Sequence, residues 1–163
     1  MVIGGQAVLL YGEPRQTRDI DITLGIDFDQ SDRITDILQE TNFELLIKES
    51  EEKEFVRRTR VLPILEPESG IRIDFIFSFT PYERQAIDRA EHIDIDDVQV
   101  RFATVEDVII HKIFSGRPRD IEDARSIRRK NEFDETYVRQ WLQTFEQSLQ
   151  KDFLSIFESI LES

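Results

Sequence analysis

IGGQAVLLYGEPRQTRDIDITL, residues 3–24, reads as the end of a strand, a Gly-Gly turn, a short apolar helix, a polar loop and a second strand. In the second strand side chains alternate: Ile20, Ile22 and Leu24 point to one face, Asp19, Asp21 and Thr23 to the other. Burial of the isoleucines presents two carboxylates on the opposite face, roughly 6–7 Å apart along the strand. Such a pair can grip one divalent cation or share two.

Acidic residues are 34 of 163, so Asp-x-Asp recurs by chance, at Asp27/Asp29 and at Asp94/Asp96. Those two read as solvated strand edges or turns. Asp19/Asp21 differs in context, with Gly4-Gly5 upstream and Thr17-Arg18 just before it. A third carboxylate, Asp74, lies in Ile71-Arg-Ile-Asp-Phe-Ile-Phe77, where Ile71, Ile73, Phe75 and Phe77 form one face. An aspartate in so apolar a strand is costly to bury without a partner. It either pairs with an arginine such as Arg72 or shares a metal with Asp19 and Asp21.

Gly4-Gly5 has two readings. Glycine tolerates the positive φ of a tight strand-to-helix turn; it also lets backbone N–H groups at a helix N-terminus approach a phosphate. Gln6–Tyr11 then forms a short apolar helix stopped by Gly12 and Pro14.

Gly-Gly, a short helix, T-R-D-I-D and a later strand with a single aspartate resemble the nucleotidyltransferase superfamily of the polymerase-beta type. Val105-Glu-Asp-Val-Ile-Ile-His-Lys112, followed by Gly116-Arg-Pro-Arg-Asp-Ile-Glu-Asp123, is similar to the AbiE-type abortive-infection toxins and their uncharacterised relatives. The resemblance spans about residues 1–130 and extends to the smaller aminoglycoside nucleotidyltransferases. It implies an α/β (α+β) fold with a mixed, mainly antiparallel sheet flanked by helices. Residues 1–103 would be the nucleotidyltransferase core and 104–163 a helical part packed on the same domain.

The activity it implies is transfer of a nucleoside monophosphate from an NTP to a hydroxyl acceptor: an RNA end, a protein or a small molecule. Mg²⁺ (or Mn²⁺) would be held by Asp19, Asp21 and Asp74. Gly4, Gly5, Thr17, Arg18, Lys112 and Asp120 would contact the nucleotide, with Asp123 the fallback for Asp120. Relatives often carry Gly-Ser where this chain has Gly4-Gly5, so a hydroxyl contact to phosphate is lost here. They also carry a helix before the first strand, whereas Met1 begins inside it; either the strand is short or the true start lies upstream. The role implied is a component of a toxin-antitoxin or phage-defence system. An aminoglycoside-type enzyme, a non-catalytic interaction module and a plain metal-binding domain are the competing readings.

Composition sets bounds on all of them. Hydrophobic residues at 39% and charged residues at 34% suit a soluble globular chain with one substantial core. No apolar run approaches the ~20 residues of a membrane helix, and the start lacks the pattern of a signal peptide. Without cysteine there is no disulfide, thiol catalysis or cysteine zinc site. The expected location is the cytoplasm. A net charge of −13 disfavours broad duplex binding. Two basic clusters, Arg57/Arg58/Arg60 and Arg117 to Lys130, either balance the acidic remainder or face a polyanion.

Along the rest of the chain, Ser31–Leu38 reads as a helix capped by Ser31 or Asp29. Residues 43–47 and 54–65 read as strands separated by a charged turn over 48–53. Pro81 opens a helix to about Ala90, and Val98–Phe102 alternates as a short strand. Thr104 and Asp107 suggest a capped start to the Lys112 helix. There Lys112 is either a surface lysine or a phosphate partner, and Asp120 either a helix cap after Pro118 or a site residue. His92 and His111 have no metal-ligand spacing. From Asp134 onward Val138, Trp141, Leu142, Phe145 and Leu149 make a helical stripe, continued by Phe153, Ile156, Phe157 and Ile160. That stripe packs helices together or offers a face to a partner protein or second subunit.

Overall fold

The computed structural model describes residues 1–78 and 80–162. Its strands are β1 (Val2–Ile3), β2 (Asp19–Thr23), β3 (Glu44–Leu45), β4 (Val61–Glu66), β5 (Ile71–Ile76), β6 (Glu91–Ile95) and β7 (Val98–Phe102). They form one seven-stranded sheet in the order β3-β4-β5-β2-β1-β7-β6. β2–β5 and β1–β7 are parallel; the other four neighbouring pairs are antiparallel. The helices among the described residues are α1 (Gly4–Tyr11), α2 (Ser31–Leu38), α3 (Glu52–Thr59), α4 (Pro81–Arg89), α5 (Val105–Ser115), α6 (Pro118–Lys130), α7 (Glu135–Leu149) and α8 (Leu154–Leu161). This is the mixed, mainly antiparallel α/β architecture expected from the sequence.

Two apolar clusters hold it. A smaller one joins Leu38 of α2 and Val56 of α3 to Leu62, Ile64 and Phe77. The larger joins β1 and α1 to the C-terminal helices through Val8, Ile109, Ile113, Ile127, Leu142 and Phe157, all fully buried. Each such side chain contributes roughly 1.5–3 kcal/mol, so α5–α8 share a core with the sheet. The stripe on α7 and α8 is largely spent on this packing.

Three expectations are corrected. Residues 54–65 are not one strand: α3 precedes β4, and Arg60 between them turns the chain in the left-handed region at φ 62. Glu52 and Glu54 in the first turn of α3 and Arg57 and Arg58 in the last complement the helix dipole. Val56 is the helix's one fully buried apolar side chain, too sparse a stripe for periodicity to register. Residues 43–47 contain only the two-residue β3. Conversely, the stretch at Asp94, which reads from sequence as a solvated strand edge or turn, belongs to the full five-residue edge strand β6, exposed at every position but Ile93.

A candidate active site between β2, β5 and the α5–α6 hairpin

The parallel pairing of β2 with β5 sets Asp21 directly beside Asp74, with Asp19 opposite Arg72. Alternation puts all four side chains on one sheet face. β1 adds Ile3 opposite Asp21, and the chain then turns sharply into α1. Gly4 makes that turn at φ +65, and a Cβ there would lie 1.9 Å from Asp21 Oδ2. Only glycine fits, for both the conformation and the space. Gly5 is similarly confined, its missing Cβ 2.5 Å from Thr17 Oγ1.

These residues line a cleft of about 370 Å³: Gly4, Gly5, Asp19, Asp21 and Asp74 on the sheet side, with Lys112, Asp120, Arg15, Arg117 and Arg119 opposite. The far wall follows from the α5–α6 hairpin. Thr104 caps α5, its hydroxyl donating to Asp107 Oδ2 at 3.0 Å. Gly116 ends α5 at φ +66, and Pro118 opens α6 in its first turn. The fold-back brings Asp120 and Asp123, one turn apart on α6, against Lys112. Lys112 Nζ lies 2.8 Å from Asp120 Oδ1 and 2.9 Å from Asp123 Oδ2. Arg117 Nε donates to Asp120 Oδ2 at 2.6 Å, and Arg15 donates twice to Asp123, at 2.9 Å each.

Electrostatically the two walls differ. Burial first, then the neighbouring Asp19 and Asp74 charges, raise the Asp21 pKa above its ordinary value, against partial relief from Lys112 and Arg117. Asp120 is buried too, which acts to raise its pKa, but hydrogen bonds from Lys112 and Arg117 hold it below the usual range. The strand wall is therefore short of positive charge, whereas both carboxylates of the helix wall are paired and its four cations outnumber them. Asp19 accepts from Thr17 Oγ1 at 3.2 Å, and Asp74 from Arg72 Nε at 2.8 Å. The arginine partner anticipated for Asp74 thus exists, and Asp74 faces the cleft as well.

Whether these residues fit a divalent cation turns on the donor set. Among the described residues, no three His, Cys, Asp or Glu side chains stand close enough to form a ready-made cage. Asp19, Asp21 and Asp74 nevertheless share a face and a cleft, supply the hard oxygens that Mg²⁺ and Mn²⁺ prefer, and repel one another until a cation is added. They fit such an ion by chemistry.

Thr17 and Arg18 fall outside this cleft. They line an adjoining hollow of about 380 Å³ that shares Arg15, Asp19 and Arg119 with it. Lys112 does reach the cleft, but it is 5% exposed and already paired with two carboxylates. The exposed cations of the cleft are Arg117, whose side chain is 76% accessible, and Arg119. Arg15 is the residue sequence reasoning missed, since nothing in its loop marks it as the partner of a carboxylate on α6. The other aspartate pairs stay away, as expected. Asp27 caps a helical turn and pairs with Arg60, and Asp94 and Asp96 belong to the β6–β7 hairpin. His92 bonds Gln99 on that hairpin, and His111 packs on Tyr82.

The fold has a counterpart among solved structures. The crystal structure of an antigenic nucleotidyltransferase-like protein from Paracoccidioides brasiliensis aligns with a TM-score of 0.51 at 18% identity, over 96% of this chain and 83% of that one. At that identity the likeness is one of fold. Among curated proteins no match was found. Residues 1–155 match the family described as "Nucleotidyltransferase of unknown function (DUF6036)". That match takes in nearly the whole chain and every residue of the cleft, and the chain belongs to this nucleotidyltransferase family.

Proposed function

We propose that the cleft transfers a nucleoside monophosphate from an NTP to a hydroxyl acceptor, with Mg²⁺ or Mn²⁺ bound by Asp19, Asp21 and Asp74. The observation that carries this is the in-register pairing of Asp21 with Asp74 beside Asp19, opposite a wall that holds Arg117 and Arg119. A divalent cation bound there supplies charge neutralisation for the attacking and leaving oxygens of an in-line displacement. Backbone N–H groups at the start of α1 receive phosphate where Gly4 and Gly5 leave no side chain in the way. Arg117 and Arg119 neutralise the polyphosphate. Lys112, fixed between Asp120 and Asp123, positions the helix that carries them. Asp74, freed from Arg72, orients the acceptor hydroxyl and takes its proton.

The likeness of the Lys112–Asp123 segment to AbiE-type toxins favours a cytoplasmic toxin-antitoxin or phage-defence role over antibiotic modification. One observation supports a non-catalytic module instead: Asp74 and Lys112 are both already engaged by side chains of this chain. Thermal melting separates the two. Ligand at ~100 times its dissociation constant stabilises by ~2.7 kcal/mol, a shift of roughly 5–10 °C for a chain of this size. A transferase shows that shift with an NTP only when Mg²⁺ or Mn²⁺ is present. A module that has kept only the fold shows none with ATP, GTP, CTP or UTP under either metal.

A further inference from the structure

A second cavity, of about 750 Å³, lies on the same sheet face as the carboxylates. Thr23 follows Asp21 on β2 by one pleat step, and its register partner Ile76 follows Asp74 on β5 by the same step. Both line the new cavity, roughly 6–7 Å along the strands from the aspartates. The two spaces also share a wall in α5, where Lys112 faces the polar cleft and the adjacent His111 faces the cavity.

Its chemistry is the reverse of the cleft's. Aromatic side chains dominate: Tyr82 contacts Trp141 and Phe145 edge-on, with ring centroids 5.1 and 5.2 Å away. Among the described residues no lysine or arginine lines it. Its one carboxylate, Glu83, is committed to the capping box with Thr80 at the start of α4. A triphosphate has no partner there. Yet two atoms shielded from solvent have no hydrogen-bond partner among the described residues, Thr23 Oγ1 and His111 Nε2, and both residues line the cavity. Thr23 is only 2% exposed. Burial lowers the His111 pKa to about 4, so its ring is neutral. An unpaired buried polar atom is costly, and two lining one apolar space of ligand size mark a binding site.

We propose that this cavity is the acceptor site, and that it takes a neutral, ring-bearing alcohol. The ring lies among Tyr82, Trp141 and Phe145, polar groups of the ligand engage Thr23 Oγ1 and His111 Nε2, and the reactive hydroxyl points back toward Asp21 and Asp74. The assignment rests on the nucleotidyl-transfer reading of the neighbouring cleft. In the reaction the acceptor oxygen bonds to the α-phosphorus while the bond from that phosphorus to the α,β-bridging oxygen breaks. Pyrophosphate leaves, and the hydroxyl proton passes through Asp74 to water.

Trp141 is the chain's single tryptophan, so its emission reports on this cavity alone. The probe is 4-nitrobenzyl alcohol, which is neutral, ring-bearing and a quencher of indole emission. The expected result is saturable quenching in the full chain, roughly fivefold weaker binding in Thr23→Val, and none in Thr144→Phe, which fills the cavity from its exposed rim. A saturating α,β-methylene NTP analogue with Mg²⁺, which cannot release pyrophosphate, leaves the alcohol bound. Absence of saturable quenching, or quenching unchanged in a folded Thr144→Phe, overturns the proposal. Displacement of the alcohol by the analogue overturns it too, by making the cavity the nucleobase site. A metal-gated NTP melting shift without alcohol binding defeats the cavity assignment alone. Alcohol binding without any such shift defeats the transfer reading and the acceptor role with it.

Discussion

Asp21 and Asp74 are direct partners across the parallel strands β2 and β5, far apart in the chain and side by side in the sheet. Without a cation this pairing works against the fold. Burial and the charges of Asp19 and Asp74 raise the folded-state pKa of Asp21 above its ordinary 3.8. The folded chain therefore holds that proton more tightly than the unfolded one. Stability falls as pH rises from about 3.8 through the raised value. Asp21→Asn removes it. In metal-free buffer at pH 7 the variant melts higher than the parent, by about 2–4 °C for each kcal/mol relieved, and the difference vanishes at acid pH. Calorimetry of both proteins across the pH range checks the sign.

Gly4 and Gly70 have nearly the same φ, +65 and +68, but different surroundings. Nothing lies within 4 Å of a Cβ built at Gly70, whereas at Gly4 it meets Asp21 Oδ2 at 1.9 Å. Gly70→Ala therefore costs only the left-handed conformation, about 1–2 kcal/mol. Gly4→Ala costs more in urea denaturation and also displaces Asp21, so it loses nucleotide binding. Equal denaturation midpoints for the two variants would contradict the close packing at the turn.

Lys112 and Arg117 touch the same carboxylate from opposite environments. Lys112→Met leaves Asp120 and Asp123 without their buried cation and destabilises the protein by about 3–5 kcal/mol. Arg117 is 76% exposed at the side chain, and Arg117→Ala changes stability by no more than about 0.5 kcal/mol. Its effect falls on the nucleotide: loss of a charged contact weakens metal-dependent NTP binding by roughly 10–100-fold. Unfolding curves and nucleotide titrations on both variants separate the roles. A reversal, with Lys112→Met stable and Arg117→Ala unfolded, would refute the assignment.

Much of the centre was legible in the sequence because it rests on short-range rules. Alternation placed Asp19 and Asp21 on one strand face, and the apolar setting of Asp74 marked it as needing a partner. Thr104, Gly116 and Pro118 set the ends of the α5–α6 hairpin by capping chemistry that a sequence displays. What could not be read was tertiary. Lys112 looks like a free cation until α6 folds back and surrounds it with Asp120 and Asp123. Arg15 gains its place only through Asp123, on a helix remote in the chain. α3 hid because a mostly solvated helix with one buried valine has no periodicity to detect, and the extent of β6 because an exposed edge strand buries too little to mark its ends. The apolar cavity is assembled from β1, β2, β5, α4, α5 and α7; the α7 stripe that helps to line it looks like ordinary packing until the sheet is in place.

Whether the Asp19–Asp21–Asp74 face performs metal-dependent nucleotidyl transfer is decided by following label from an NTP. Purified protein is incubated with NTPs labelled at the α-phosphate, Mg²⁺ or Mn²⁺ and a cell extract, beside Asp21→Asn under matched conditions. The expected result is metal-dependent label on an acceptor with the parent protein. With the folded variant the loss exceeds the ~10–100-fold typical of residues that merely support a metal site. Label transfer by Asp21→Asn at the parent's rate would contradict it.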